Sequence, residues 1–535
     1  MLEPEVGSGK AGCSPDAARA RDAAEVRGQE IEIKFRTDAA GLALLLNAPL
    51  IKTANNLQTE NLKATYFDTP SNALRNKGII LRVRKSGDAV PVLGMKAPGA
   101  ATDGPFHRRE VETNSPSLKP NLGLFDKTAR KFLARIIGDQ PIGPKFKMQF
   151  KRQSGLVRSG SSVVEIAVDE GHITCGKLRV PLAEVELELV SGNKADLFDL
   201  AMRLAEEFSL RLDFVSKAEK GFRALLQEKI APVKAESIKP KSLAAFDDAV
   251  TAIISNTLAQ FVANWACLRE SDEPESIHQM RIALRRMRCG LAMFKRALPN
   301  AGFGALRDDA GTLAAAFGPA RNSDAFCISA LQGPLAGTDC PRNSKILLAM
   351  LEKRRIADYR SVRLQIESLA ATLFVLKVQS FLALKNWHGD PARDELSQVQ
   401  MSVGKFSKAA LDRQSARVLR RGKKIATVSD EARHKLRIAL KNLRYGVEFF
   451  GELHGNHKRR RAYKKKMSAL QDLLGIRNDI VVARSYVEQF REEASPEAEC
   501  VLDFILGWNA REAAIIDKAI DKSWKKFKRA DIFWK

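Results

Sequence analysis

A chain of 535 residues is too long to fold around one hydrophobic core, so we expect at least two domains. Hydrophobic residues make up 45% and charged residues 28%, the composition of an ordinary soluble globular protein. The net charge is +25, of which +18 lies from residue 241 onward, and this indicates a polyanionic partner: nucleic acid, an anionic membrane or phosphate chains.

Cysteine usage and hydropathy set the expected compartment. The seven cysteines include no Cys-x-x-Cys pair, which argues against a zinc site and a disulfide framework and fits a reducing compartment. The first 20 residues lack the apolar core of a signal peptide, and no apolar run reaches the ~20 residues of a membrane helix. We therefore expect a cytoplasmic protein with no membrane partner.

The sequence pattern of the first half of the chain predicts a β-rich domain. Residues 1–27 lack apolar periodicity and are predicted to form a disordered tail. Helices are predicted over 38–48 and 122–137, and Asn193 is expected to cap a third helix. The segments whose apolar and polar residues alternate, as in β-strands, are EIEIKF, KATYFDT, GIILRVRK, VPVLGMK, FKMQFKR, SVVEIAVDE and AEVELELV.

The second half of the chain reads as helical. The β-rich domain is expected over 28–225, and a linker rich in Lys and Pro over 226–242. From 243 to 535 the apolar period changes to 3.6, which predicts an all-α domain. Within it, IHQMRIALRRMRCGLAMF matches RHKLRIALKNLRYGVEFF at an offset of 156 residues, which predicts two related helical bundles.

Three predicted strands carry a charged face opposite an apolar face, since side chains alternate along a strand. An open sheet with its charged face in water explains any one of these strands. A closed barrel with the charged face inward explains all three together, since acidic residues cluster on some strands and arginines on another. Carboxylates would hold Mg²⁺ or Mn²⁺, and arginine and lysine would bind phosphoryl oxygens. The charged faces comprise Glu30, Glu32 and Lys34; Arg82 and Arg84; and Glu184, Glu186 and Glu188.

These motifs, in this order, resemble the CYTH family of triphosphate tunnel enzymes over roughly residues 28–225. The Glu-x-Glu-x-Lys motif and the segment YFDTPSNALRNKGIILRVRK are followed by LGMK, FHRREVE, QFKRQ, EIAVDEG, AEVELE and SKAEKGF. The resemblance implies an α+β domain with an eight-stranded antiparallel β tunnel and flanking helices. It also implies hydrolysis of inorganic triphosphate to pyrophosphate and phosphate with Mg²⁺ or Mn²⁺.

The CYTH resemblance also implies roles for individual residues. Lys34, Glu30 and Glu32 would be catalytic, although Lys34 could either help activate water or only orient phosphate. Whether Arg108 or Arg109 points inward, and whether Glu188 takes part, stays open at this stage. The metal ligands would be Glu30, Glu32, Asp169, Glu184 and Glu186. The triphosphate ligands would be Lys34, Arg82, Arg84, Lys96, Arg109 and Arg152, and Lys217 belongs to a closing motif.

The repeated helices of the second half each carry a basic face. Such faces are often simply solvated, but four like charges recurring at one offset favour an anion site, unless nearby acids neutralise them. Candidate acids are Asp308, Asp309, Asp324, Asp472 and Asp479. The two basic faces are His278, Arg281, Arg285 and Arg288 in the first repeat, and His434, Arg437, Lys441 and Arg444 in the second.

HQMRIALRRMR and HKLRIALKNLRY resemble the signature helices of the CHAD domain, which implies that residues from about 240 to 535 bind inorganic polyphosphate through these faces. Asn322 stands where the CHAD pattern usually has its first acid. Nucleic acid is the rival partner, but the domain lacks a recognisable motif for reading bases. The competing functions are adenylyl cyclase or thiamine triphosphatase chemistry in the tunnel, and a scaffold without catalysis.

Overall fold

The computed structural model describes residues 29–98, 107–299, 302–336, 343–388, 402–423, 425 and 429–535. The predicted disordered tail lies outside these residues. The chain divides into two compact units. The first contains the described parts of Met1–Ala100, Phe106–Leu197 and Val215–Glu228, and the second contains the described parts of Phe198–Phe214 and Lys229–Lys535. Phe198–Phe214 therefore groups with the helical unit, although it lies inside the predicted domain 28–225.

The first unit is built on a closed ring of antiparallel strands. Strands β1 to β8 pair in the order β5-β4-β3-β2-β6-β7-β8-β1, and β1 also pairs with β5, which closes the ring. The predicted eight-stranded antiparallel tunnel is confirmed. The two-residue β9 belongs to the second unit. The strands are β1 Gln29–Arg36, β2 Asn55–Asp68, β3 Ile80–Ser86, β4 Val92–Pro98, β5 His107–Asn114, β6 Gly143–Ser159, β7 Ser162–Cys175, β8 Leu178–Ser191 and β9 Arg211–Leu212.

A helix covers part of the outside of the tunnel. Helix α3, Lys127–Ile137, begins after Asp126, whose side chain accepts a hydrogen bond from the amide of Ala129. Its apolar face packs on the outward residues of β3 and β4, such as Leu81 and Leu93. The other helices of this half are α1 Ala39–Asn47, α2 Pro49–Lys52, α4 Lys194–Glu207 and α5 Lys217–Leu226.

Helix α5 packs on residues of the inward face. Residues paired across neighbouring strands share a face, and Tyr66 pairs with Arg82 on one side and Phe146 on the other. Phe222 of α5 packs edge-on to Phe146, with ring centroids 5.2 Å apart. A Cβ on Gly221 would lie 2.2 Å from the Phe146 ring, so only glycine permits this approach. One part of the inward face is therefore apolar, and another part carries the charged residues.

The second unit is helical. Its helices are α6 Phe246–Ala263, α7 Trp265–Glu270, α8 Pro274–Ala297, α9 Phe303–Ala316, α10 Gly318–Gln332, α11 Ser344–Ile366, α12 Leu369–Leu384, α13 Val403–Arg421, α14 Asp430–Phe450, α15 His457–Phe490 and α16 Pro496–Lys528.

The offset of 156 residues relates whole bundles, beyond the two signature helices. It places α6 on α13, α8 on α14, and α11 on α16. The single long helix α15 corresponds to α9 and α10 together, which are separated at Phe317, directly before Gly318 and Pro319. Related helices also touch each other: α8 packs against α14, α10 against α15, and α11 against α16. The prediction of two related bundles is confirmed, and their contacts are those of a pseudo-two-fold pair.

The segment between α5 and the second unit's helices has no regular structure over residues 227–239. The side chain of Asn264 accepts a hydrogen bond from the amide of Val233 at 2.9 Å and donates one to its carbonyl at 2.8 Å. Among the described residues, no single helix has the length and apolar composition of a membrane span. Helices α11 and α12, bent by 49°, meet that test only as a pair.

Candidate functional site

The acidic residues predicted on the tunnel wall are buried. Glu32 is 7% exposed, Asp169 and Glu184 are 0% exposed, and Glu186 is 6% exposed. An open sheet with its charged face in water is therefore excluded for β1, β7 and β8. Glu188 is half-buried and pairs across the strands with Glu32, which places it on the same face.

Glu30 is the one predicted metal ligand whose side chain lies outside the described part of the chain. Its backbone lies in β1, and its Cα is paired with that of Arg108 in β5. Glu32 and Lys34, two and four residues later in β1, face the inside of the tunnel.

The ammonium group of Lys217 lies at the centre of the acidic wall. Its Nζ is 2.8 Å from a carboxylate oxygen of Asp169 and 2.8 Å from one of Glu184, and it also contacts Glu186. Lys220, one turn later on α5, contacts Glu184 as well. Lys217 lies in the predicted closing motif SKAEKGF, which by itself indicates no role for this residue. The signal was its spacing from Lys220, which puts two cations on one face of a helix.

Two further basic residues complete this wall. Arg152 donates to both carboxylate oxygens of Asp169, from Nε at 2.7 Å and from Nη2 at 2.6 Å, and also contacts Glu186. Lys34 lies between two carboxylates, with its Nζ 2.9 Å from Glu186 and 3.4 Å from Glu32. Both predicted phosphate ligands are thus held by acidic residues in this structure.

Opposite charges favour the ionised forms of Glu186 and Lys217 despite their burial. Burial alone would raise the pKa of Glu186, but Lys217, Lys34 and Arg152 together hold that pKa well below its ordinary value. Burial likewise disfavours the charged form of Lys217, but Glu184, Glu186 and Asp169 raise its pKa well above the ordinary value. The wall is therefore a dense array of opposite charges.

A second wall is mainly basic and lies on β3, β4 and β5. Arg82 contacts Glu110 and Glu112, each at 3.1 Å. Arg84 contacts Glu112 at 3.4 Å, and Lys96 contacts Glu110 at 3.0 Å. The structure therefore brings the predicted phosphate ligands Arg82, Arg84 and Lys96 together, around two carboxylates that sequence reasoning gave no role.

Opposite charges also shift pKa values on this wall. Although burial alone would raise it, Arg84 and Arg82 lower the pKa of Glu112 to about 2. Burial opposes the charge on Arg82, but Glu110 and Glu112 raise its pKa above the ordinary value. Glu110 and Glu112 therefore each place a carboxylate between cationic side chains.

Arg109 is the predicted phosphate ligand that the structure does not bring into the tunnel. It is exposed, whereas its neighbour Glu110 contacts the inward-facing Lys96 and Arg82. Neighbouring residues of a strand point to opposite faces, so Arg109 lies on the outside. The side chain of Arg108 lies outside the described residues.

The donor chemistry of the acidic wall suits a hard divalent cation, since Mg²⁺ and Mn²⁺ prefer carboxylate oxygens. Yet among the residues that the structure describes, no three acidic, histidine or cysteine side chains are grouped so as to hold a metal ion. Asp169, Glu184 and Glu186 instead converge on the ammonium group of Lys217. The carboxylates are nevertheless the type of ligand that these ions prefer. Glu32 and Glu186 are the two carboxylates that contact Lys34.

The helical unit contains a second candidate site, where α8 packs against α14. Burial, together with Arg285 and Arg437, lowers the pKa of Lys441 to about 6. Burial, together with Arg321 and then Arg285 and Lys441, lowers the pKa of His278 to about 4. Burial, together with Arg285 and Arg321, lowers the pKa of Arg281 to about 10. Cations from both repeats therefore share one half-buried region.

The remaining predicted residues of the basic faces are placed differently. His434 is exposed and is hydrogen-bonded to Asn478 at 2.7 Å. Arg444 donates to Glu448 at 3.0 Å. The guanidinium group of Arg288 lies over Gly311 of α9. His434 and Arg288 are not among the residues that lower the pKa of Lys441 or His278. Arg444 has only a small effect on the pKa of Lys441.

The acids proposed to neutralise the basic faces do so only in part. Arg437 and Asp479 form a long ion pair of 3.9 Å. Asp324 instead accepts a hydrogen bond from Tyr359 at 2.9 Å and lies 3.4 Å from Arg355. Asp308 contacts Arg307 at 3.1 Å. The shared region keeps an excess of positive charge.

Comparison with known families identifies both halves of the chain. Residues 28–222 match the CYTH domain, and residues 252–488 match the CHAD domain. The chain therefore carries a CYTH domain followed by a CHAD domain.

Known proteins resemble this chain to different extents. An inorganic triphosphatase of Haemophilus influenzae is 30% identical over 200 residues, which is 36% of this chain and 54% of that protein. The match thus spans about half of that relative's length. An uncharacterized protein of Mycobacterium tuberculosis is 24% identical over 456 residues, 81% of this chain and 82% of that protein.

Two solved structures were also matched. The CHAD domain of the plant Ricinus communis has 27% identity and a TM-score of 0.48, and covers 56% of this chain and 98% of that chain. A putative adenylyl cyclase from Hippeastrum, described as having a dominant triphosphatase activity, has 17% identity and a TM-score of 0.27. It covers 38% of this chain and 97% of that chain.

Proposed function

We propose that the CYTH domain hydrolyses inorganic triphosphate to pyrophosphate and phosphate, and that the CHAD domain binds inorganic polyphosphate. The observation that carries the first part is the pair of charged walls inside one closed tunnel. Cytoplasmic location, and association with polyphosphate granules through the CHAD domain, belong to the same proposal.

The basic wall supports binding of a linear chain of phosphates. Arg82, Arg84 and Lys96 hold the carboxylates of Glu110 and Glu112 at 3.0 to 3.4 Å. Phosphoryl oxygens carry the same charge and accept the same hydrogen bonds, so a triphosphate would replace these carboxylates as the partner of the three cations. Phosphoryl transfer needs chiefly such positioning and charge neutralisation.

The acidic wall supports a metal ion beside the phosphates. We assign Glu30, Glu32 and Glu186 as the residues that would hold Mg²⁺ or Mn²⁺, with Asp169 and Glu184 next to them. When bound, the ion would neutralise phosphate charge and let acidic residues tolerate an anionic substrate. Lys34, between Glu32 and Glu186, would orient a phosphoryl oxygen, and Arg152 would contact another.

A matched pair of variants of the full chain tests the tunnel assignment. Asp169 is fully buried on the inward face of β7, and Glu170 is its exposed neighbour on the outward face. Asp169→Asn should reduce phosphate release from tripolyphosphate by at least about a hundredfold, on the scale of losing a preorganised charge in a site. Glu170→Gln should leave the rate within about twofold. Equal rates for the two variants would contradict the proposal.

Polyphosphate binding by the CHAD domain rests on the shared cationic region. Burial first, and then neighbouring cations, lower the pKa values of Lys441 and His278, and a bound anion would offset the repulsion among those cations. Nucleic acid would also be attracted by the charge, so the test compares the two polymers directly.

A second pair of variants of the full chain separates a built site from general charge. The first replaces four residues of the shared region with Gln: Arg281, Arg285, Arg437 and Lys441. The second replaces four exposed cations near the start of α15: Lys458, Arg459, Arg461 and Lys465. Each set replaces four basic side chains, and the second removes at least as much positive charge because the pKa of Lys441 is lowered, so a purely electrostatic surface predicts an equal or larger loss from the second set. We expect the first set to lose far more affinity for long-chain polyphosphate, and tighter binding of duplex DNA than of polyphosphate would refute the assignment.

A further inference from the structure

The two repeats of the CHAD domain differ in how their basic residues are neutralised. In the second repeat, Arg477 contacts Asp430 at 2.8 Å and Asp517 at 3.1 Å. Arg444 contacts Glu448 at 3.0 Å, and Arg437 has the long contact with Asp479. Basic residues of this repeat therefore have carboxylate partners from α14, α15 and α16.

The equivalent acids are missing from the first repeat. Subtracting the offset of 156 residues from each acid leads to a residue without charge. Asp430 corresponds to Pro274, Glu448 to Ala292, Asp479 to Ser323 and Asp517 to Ser361. A shared fold thus carries two different charge patterns.

Arg321 shows the consequence most directly. It is the counterpart of Arg477, since the two lie 156 residues apart. Among the described residues, no carboxylate is within ion-pairing distance of Arg321, Arg281 or Arg285. The nearby Asp324 is instead engaged by Tyr359 and Arg355.

Arg321 also faces the cations of the shared region. It is the largest charge acting on the pKa of His278, after burial, and it lowers the pKa of Arg281 and Arg437. The Arg281 guanidinium group, in turn, lies 3.8 Å from where a Cβ on Gly318 would stand, at the start of the helix that carries Arg321. Arg321 therefore belongs to the same cationic group as α8 and α14, although it lies on α10.

We propose that the phosphate chain is bound mainly through the first repeat, with Arg321 as a contact residue beside Arg281 and Arg285, whereas its counterpart Arg477 serves the fold. The inference rests on the proposed polyphosphate binding and names the residues that carry it. Lys441 is the main contribution of the second repeat, because it adjoins Arg285.

The repeat supplies its own matched control for this inference. Arg321→Gln and Arg477→Gln remove the same charge at equivalent positions, so the full chain carrying each is compared for binding of long-chain polyphosphate at one salt concentration. Arg321→Gln should weaken binding about tenfold or more, as for loss of a charged hydrogen bond. Arg477→Gln should change affinity less than about threefold but lower the melting temperature, because Asp430 and Asp517 each lose one of two arginine partners and keep only Arg433.

A charge graft covers the case in which Arg477→Gln does not fold. Ser361 is exposed, and Ser361→Asp places in the first repeat the acid that Asp517 supplies in the second. It should weaken polyphosphate binding about as much as Arg321→Gln does. Equal losses from Arg321→Gln and Arg477→Gln, or no loss from Ser361→Asp, would overturn the asymmetry. Failure of the unaltered chain to bind polyphosphate would instead overturn the proposed function.

Discussion

Replacing Lys217 with Met tests whether one ammonium group holds the acidic wall together. Lys217 is 6% exposed and contacts Asp169, Glu184 and Glu186. Its removal leaves three buried carboxylates without their shared partner. Breaking a buried ion pair by removing one member costs about 3 to 5 kcal/mol. We expect a loss of that size in the stability of the tunnel.

The expected change is large enough to measure by thermal unfolding. For a unit of about 200 residues, 1 kcal/mol corresponds to roughly 2 to 4 °C, so the transition of the tunnel should fall by about 6 to 20 °C. The control is Lys220→Met, which removes an ammonium group one turn later on the same helix. Lys220 is more exposed, with 21% of its side chain accessible. Its removal should cost less than that of Lys217, because it contacts Glu184, which keeps Lys217 as a partner.

The same variant reports on the metal. If carboxylates released from Lys217 bind Mn²⁺, saturating Mn²⁺ should recover part of the lost stability, by about 2.7 kcal/mol at a hundred times the dissociation constant. Equal melting temperatures for Lys217→Met and the unaltered chain would refute the reasoning, because they would mean that the three carboxylates do not depend on this cation.

Three further outcomes are expected. Glu32→Gln should abolish tripolyphosphate turnover, because it keeps the shape of the side chain but removes its charge. The melting temperature should stay within a few degrees of that of the unaltered chain. Near-normal turnover would mean that Glu32 takes no part in the reaction. Polyphosphate affinity should rise as pH falls from 8 toward 6, by at most about tenfold per unit. Lys441 has a pKa of about 6, so it is mostly neutral in the protein without bound polyphosphate and gains a proton when an anion binds beside it. His278 has a pKa of about 4 and stays neutral over this range. Lys441→Gln should remove this pH dependence. Affinity should also fall steeply with added salt, which titrations at several ionic strengths would measure.

Alternation in the sequence was enough to predict seven of the eight tunnel strands. It did not identify β5, HRREVETN, because that strand has few apolar residues on either face. Its position became clear only from pairing, since β5 joins β1 to β4 and closes the ring. The polar inward residues Glu110 and Glu112 were missed for the same reason.

The position of α5 could not be read from its own pattern. KAEKGFRALL is an amphipathic helix that would suit the outside of a sheet as well as the inside. What selects the inward position is tertiary: Gly221 allows contact with Phe146, and Arg75 pairs with Glu219 at 2.8 Å. Lys217 reaches the carboxylates because of that placement.

The repeat was visible in sequence, but its asymmetry was not. The offset of 156 residues aligned two helix faces, and it drew attention to residues that match. Arg321 lies outside those faces, on α10, and its difference from Arg477 depends on acids from two other helices, α14 and α16. Residues that fail to match, such as Ser361 opposite Asp517, became informative only once the partners of Arg477 were known.

The most direct test of the account is product analysis on the full chain with tripolyphosphate. We expect phosphate and pyrophosphate to appear in equal molar amounts with Mg²⁺ or Mn²⁺, and exhaustive chelation to stop the reaction. Release of neither product in the presence of either metal, or an undiminished rate after chelation, would contradict it.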